Sequence, residues 1–294
     1  MMDKAFVPMN KQSLRDKMKS YRRHPGSFIL LLLVLLAAVA TVAVLFFLVG
    51  YILIKGIPYL KPSLFALEYN SENVSMLPAM INTVVMVALA LLFSVPFGVG
   101  AAIYLVDYAK KGNKLVGVIR ITTETLTGIP SIIYGLFGML FFNVALKWRY
   151  SMLSGAATLA IMVLPVIIRT TEEALLCVPN SYREGSFGLG AGKLRTIFRI
   201  VLPAAVPGIL SGVILAIGRI VGETAALIYT SGTVAGVAGL MDSGRTLAIH
   251  MYVLANEGLH ANEANATAVV LLVVVLLINW VSSRIARKFE VPKQ

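Results

Sequence analysis

The chain has 294 residues, of which 58% are apolar and only 14% charged, with a mean hydropathy of +0.83. Water-soluble domains sit near half apolar and a quarter charged, so a soluble globular enzyme is excluded as the default. The lone Cys177 has no partner for a disulfide within the chain, and in a membrane protein 26 bases against 14 acids point first to loop asymmetry rather than to nucleic acid.

In chain order, a basic segment (1–27) precedes a long apolar run at 28–54. Crossing a hydrocarbon core of about 30 Å takes roughly 20 apolar helical residues, and runs of that order recur at 80–106, 126–146, 152–168, 204–229 and 266–281. The reading is therefore an all-α polytopic protein with six membrane helices. The first run is too long for a signal-peptide core and lacks a small-residue cleavage site just after it, so it reads as a retained helix. Its one interior polar residue is Thr41, which suits a lipid-facing position at the edge of a bundle. Spans 2 to 5 instead carry Asn82, Pro96, Gly98, Pro130, Ser131, Gly135, Asn143, Gly155, Pro165, Pro207 and Gly212. Small residues allow close helix approach and Pro frees carbonyls that only protein can satisfy, so these are the inner helices. The core is expected over 80–283, with a tail from 284.

The connection at 169–203 is too polar to span and too long for a tight turn. Within it a helix to about Leu189, a glycine break at 190–192 and a second helix stopped by Pro203 are expected, with Leu194, Ile197, Phe198 and Val201 on one face. Gly188-Leu-Gly-Ala-Gly-Lys193 fails as a phosphate-cradling loop. That spacing needs Gly at 187, which is Phe, and Ser or Thr at 194, which is Leu.

Inside span 5 lies a charged pair, Arg219 and Glu223, four positions apart and so expected on one helix face, well within the hydrocarbon. The loop at 231–265 carries His250 and His260, with a short re-entrant or surface helix over 241–254. The two His have no further ligand residues at metal spacing, so no metal is expected. Cys177 reads as a small packing residue, and Trp148 and Trp280 as interfacial anchors near span ends. No catalytic residues are expected.

Charge position then gives orientation. Lys4, Lys11, Arg15, Lys17, Lys19, Arg22 and Arg23 precede span 1. Lys110, Lys111, Lys114 and Arg120 lie in the second connection, and Arg169, Arg183, Lys193, Arg195 and Arg199 in the fourth. Arg284, Arg287, Lys288 and Lys293 follow span 6. Six spans put these 20 bases on one side and five on the other (Lys55, Lys61, Lys147, Arg149, Arg245), with Arg219 left in the membrane. Both termini are therefore expected in the cytoplasm.

Glu184, Gly190 and, after nine residues, Ile200-Val201-Leu202-Pro203 resemble the signature loop of ABC importer permeases, with Gly185-Ser186 in place of two alanines. Gly128-Ile-Pro-Ser-Ile-Ile-Tyr-Gly-Leu-Phe-Gly138 and Gly218-Arg-Ile-Val-Gly-Glu-Thr-Ala-Ala-Leu227 are similar to the phosphate-specific permeases, of the PstA more than the PstC type. The resemblance covers spans 2 to 6 and implies an ABC type I importer permease fold in a bacterial or archaeal inner membrane. It implies an ATPase subunit of the PstB type that holds ATP and Mg and docks on the loop through Glu184, Gly185, Ser186, Gly190, Ile200, Leu202 and Pro203. It further implies a PstC-type permease or a second copy as partner, a PstS-type phosphate-binding protein outside, and no cofactor in this chain. For an oxyanion, Arg219 offers a planar fork of donors, with Glu223 moderating its charge and Thr224 and Ser131 lining the pathway. Sulfate or molybdate, the PstC-type role, and an ion-coupled secondary transporter stand as alternatives. The last lacks a visible inverted repeat or intramembrane acidic cluster.

Overall fold

The computed structural model describes residues 25–110 and 112–288. The bases from Lys4 to Arg23, Lys111 and Lys293 lie outside the described residues. The chain divides into two compact units, 1–54 and 55–294. The described part of the first is nearly all of helix α1 (Pro25–Gly56), in which no residue from 26 to 54 is buried. A continuous apolar surface of that length is what lipid would cover.

Every regular element among the described residues of the second unit is helical. Two short 3₁₀ turns lead to α2 (Leu77–Ile103), which ends in a π turn, Tyr104–Tyr108. Helix α3 (Lys114–Thr127) precedes α4 (Ser131–Gly138), itself extended by a π turn at Met139–Ala145. Then come α5 (Met152–Leu176), α6 (Asn180–Gly188) and α7 (Lys193–Thr196), with a third π turn, Ile197–Val201, leading into α8 (Leu202–Val221). Helices α9 (Ala225–Thr230), α10 (Leu247–Glu257) and α11 (Ala261–Lys288) complete it.

Helix α5 is the axis. The Ser151 hydroxyl caps its start by accepting the Ser154 N–H at 3.2 Å. Its neighbours α2 and α8 approach through small residues: Gly98 faces Ile167, Gly155 faces Met86 and Leu227, Gly208 faces Ala174 and Gly212 faces Thr170. Met86, Leu159, Met162, Val163, Ile167 and Ile220 fill the space between. Where lipid is as apolar as the core, such close packing is the main source of helix association.

The structure refines three expectations. Among the described residues five helices are long and apolar enough to cross a membrane, or six if a bent pair counts as one span. That pair, with 104° between Val116–Thr127 and Ser131–Ala145, stands where a straight span was expected at 126–146. The cause is Gly128-Ile-Pro130: Pro130 drives the preceding residue out of the helical region and cannot donate to the turn before it. Span 4 does not stop at 168 but runs to Leu176, so Arg169, Glu172 and Glu173 are helical. Arg and Glu are good helix formers, and here Arg169 Nε pairs with Glu173 at 3.1 Å and Glu172 with Arg120 of α3. The short helix expected at 241–254 occupies Leu247–Glu257.

The loop before α10 is held from below. Asn82, fully buried in α2, donates to the Gly236 carbonyl at 2.8 Å and the Arg245 carbonyl at 3.1 Å, and accepts the Ala238 N–H at 3.0 Å. The Arg245 guanidinium lies 4.5 Å from the centre of the Tyr69 ring, and His250, with no exposed surface, meets the same ring edge-on. Among the described residues no cluster of metal-ligating side chains occurs, and His260 lies 3.9 Å from Glu263.

Burial, helped by the charge of Arg245, pushes His250 down to about 3 from 6.5. The unfolded chain takes up a proton below about pH 6.5 that the folded chain refuses, so this group makes stability fall between pH 6.5 and 3. The melting temperature of the purified chain should therefore drop from pH 7 to 5. In His250→Leu the drop should be shallower, by up to about 1.4 kcal/mol per pH unit for one group. Equal slopes would remove this role.

Candidate functional site

Two helix breaks meet beside α5. Helices α4 and α9 run in the same direction in direct contact. A Cβ added to Gly135 would stand 2.7 Å from the Ala226 Cα, and one added to Gly138 would collide with Thr158 and Thr230. At about 1.5 Å per residue this pairing places Ser131, the first residue of α4, level with the 222–224 break between α8 and α9.

Both breaks are closed by specific bonds. The Tyr134 hydroxyl, from α4, donates to the Leu126 carbonyl at 2.8 Å, across the bend. Asn143 donates to the carbonyls of Tyr229 and Thr230 at 3.0 and 3.3 Å and accepts from the Ser154 hydroxyl. At the second break Gly222 terminates α8, and the Glu223 carboxylate accepts the Ala226 N–H at 3.1 Å, capping α9.

Arg219 and Glu223 therefore do not share a helix face, contrary to expectation. Arg219 is half-buried in the last turn of α8, where the helix dipole favours a cation, whereas Glu223 is buried beyond the helix end. The i, i+4 rule fails because Gly222 ends the ladder between them. Among the described residues neither joins an ion pair. Thr224 lines a cleft of about 520 Å³ with Ile132, Tyr229, Tyr252 and Asn265. Ser131 is half-buried beside Ile132, and no hydrogen bond links it, Arg219, Glu223 and Thr224 to one another. Tyr134 was missed in the sequence, where an aromatic among apolar residues gives no signal. Asn82 and Asn143 stand out as polar residues in apolar runs, but their partners do not.

The connection between α5 and α8 is a hairpin. Ala191 N–H bonds to Ser186 O at 3.1 Å and Gly190 N–H to Phe187 O at 2.9 Å, with Gly190 at φ +83°. This is a glycine-terminated helix end, not a phosphate cradle. Glu184 and Gly185 are exposed, whereas Ser186 is buried with its hydroxyl 2.8 Å from that of Thr196. Ile200 and Leu202 are half-buried. Pro203 does not stop the second helix: the chain stays helical from Lys193 to Val221, with Pro203 just after the π turn Ile197–Val201. The expected apolar face splits. Ile197 and Val201 are buried, while Leu194 and Phe198 are exposed, because the π turn rotates the face. Cys177, expected to pack, is exposed at the end of α5. Trp280 is exposed with Arg284 over its ring, and Trp148 stacks on Phe142.

Two glycine substitutions should diverge. Gly135→Ala has no room against the Ala226 backbone and should cost about 1–3 kcal/mol. Gly185→Ala meets open space within the chain and should raise stability by up to about 1 kcal/mol through helix propensity. Unfolding of the two purified variants in detergent, compared with the unsubstituted chain, checks both signs.

The profile of the family described as "Binding-protein-dependent transport system inner membrane component" matches residues 94–291. The "Probable ABC transporter permease protein YqgI" of Bacillus subtilis is 30% identical over 281 residues, covering 86% of this chain and 94% of that protein. The "Phosphate transport system permease protein PstA 1" of Mycobacterium tuberculosis is 40% identical over 154 residues, 52% of this chain and 50% of its own. PstA of Yersinia pestis is 44% identical over 142 residues, 48% of each chain, so the match spans about half the length of these PstA relatives. Among solved structures, a bacterial ABC transporter involved in import of the acidic polysaccharide alginate superposes with a TM-score of 0.68 at 18% identity, over 94% of this chain and 99% of that one. The MetNI methionine ABC transporter gives 0.59 at 22% identity, over 74% and 94%. At such identities these likenesses establish the fold.

Proposed function

The chain belongs to the family of binding-protein-dependent transport system inner membrane components, and we propose that within it the chain is the PstA-type permease of an ATP-driven importer of inorganic phosphate. It is a transporter subunit rather than an enzyme. An ATPase of the PstB type supplies ATP and Mg. A PstC-type permease or a second copy completes the pathway, and a PstS-type protein delivers phosphate from outside. The 20-to-5 division of bases supports both termini in the cytoplasm, with the bent pair counted as one crossing.

The observation that carries the substrate is Arg219. It is a permanent cation at a helix break beside the centre of the bundle, and no carboxylate among the described residues neutralises it. A guanidinium with free donors suits an oxyanion passing through water-lined space, and a half-buried position weakens it less than bulk water would. Because Glu223 caps α9, its part is to fix the break and keep its negative charge near Arg219 without consuming the guanidinium donors. That keeps Arg219 from holding phosphate so tightly that release stalls. Thr224 and Ser131, level with the break, line the route on either side.

On the opposite face the hairpin presents Glu184 and Gly185, with Leu189 91% exposed at its tip and Phe187 and Leu194 beside it. An apolar tip on short helices is suited to a groove on the ATPase, which then drives the permease mechanically.

Arg219→Gln, in a complex that still copurifies with the ATPase, should lose phosphate uptake by roughly 10-fold or more, the worth of a charged hydrogen bond. Arg219→Lys should fall between. Near-normal uptake in Arg219→Gln would overturn the contact.

A further inference from the structure

The hairpin is fastened at its base and bare at its tip. Arg183 of α6 holds the base. Its Nε donates to Asp107 at 3.2 Å, Nη1 to the Val178 carbonyl at 3.0 Å and Nη2 to the Leu175 carbonyl at 3.1 Å. The side chains of Arg183 and Asp107 are only 16% and 8% exposed. One guanidinium thus joins α6, the last turn of α5 and the π turn that ends α2.

The second arm reaches the same place. Lys193, which opens α7, lies 4.7 Å from the centre of the Tyr108 ring, and Tyr108 is the chain neighbour of Asp107. Across the hairpin the hydroxyls of Ser186 and Thr196 tie the two arms at 2.8 Å. The π turn matters for this contact. Asp107 and Tyr108 are the last two residues of that π turn, and both meet the hairpin. Ile197 and Val201 then pack with Ala102, Ile103 and Leu175, sealing the joint.

We propose that Arg183 is a positioning residue for transport, the strut that carries displacement of the hairpin into α2 and α5, with Asp107 as its fixed counter-charge. This rests on the permease reading above. The geometry assigns it because a guanidinium bonded to three elements transmits motion along all three. Leu189, at the tip, is 91% exposed.

The test uses the whole chain in nanodiscs with Cys177 replaced by Ser and spin labels at Leu189 and Tyr104, both exposed. The unsubstituted pair should give one narrow distance distribution, and Arg183→Gln a broad one. In the complex reconstituted with its ATPase and binding protein, Arg183→Gln should keep assembly and ATP hydrolysis but lose phosphate transported per ATP by 10-fold or more. Arg183→Lys, which keeps the charge without the fork, should recover part of it. If Arg183→Gln fails to assemble, Asp107→Asn, which removes only the charge, should give the same loss. A distribution as narrow as the unsubstituted one, or an unchanged ratio of phosphate to ATP, overturns the strut. An unsubstituted complex that hydrolyses ATP without phosphate uptake counts against the permease reading, while the label distances still decide what Arg183 holds.

Discussion

Inside a bilayer a peptide group that leaves its helix finds no water, so every interruption must be closed by another part of the protein. Among the described residues the helices are interrupted repeatedly, at 128–130 and 222–224 and at three π turns. Tyr134 takes up the Leu126 carbonyl, Asn143 the carbonyls at the end of α9, and Glu223 the Ala226 N–H in the first turn of α9. The price of irregular backbone is a small set of polar side chains placed on neighbouring elements. Those side chains are what lock α4, α5 and α9 into one body.

Around that body the charges sort by task. Arg120 with Glu172 and Arg169 with Glu173 are paired at helix surfaces and exposed in part. Pairs of that kind contribute little. Arg183 with Asp107 is buried and bonded to backbone as well, so loss of either partner leaves the other stranded. Arg219 is of a third kind, half-buried at a helix break and in no ion pair among the described residues.

Helix existence, the hairpin and the exceptional position of Arg219 were legible in the sequence because each depends on residue type along a single segment. An Arg in an apolar run stands out, and glycines at 188, 190 and 192 announce a turn. What was not legible depended on partners. Pro130 was visible, yet whether it bends a span or sits within one depends on what accepts the freed groups. Pro203 looked like a stop, yet the helix runs on through it, with a π turn immediately before. Glu223 looked like the partner of Arg219 because the i, i+4 rule presumes an unbroken helix, and Gly222 alone did not betray the break. Arg183 was one base among several until folding brought Asp107 across a separation of 76 residues.

The hydroxyl bridge between Ser186 and Thr196 has a bearing on how separable the hairpin is. In the family pattern the equivalent of Ser186 is an alanine, which asks nothing of the opposite arm. Here the serine hydroxyl is buried, and its partner is Thr196, which can fall back on the Gly192 carbonyl while Ser186 has no such alternative. Positions 186 and 196 are therefore a matched set, and the dependence is one-sided: a chimera that grafts another permease's second arm onto this first arm inherits a stranded hydroxyl. Exchange of hairpins between transporters has to move both arms as one cassette.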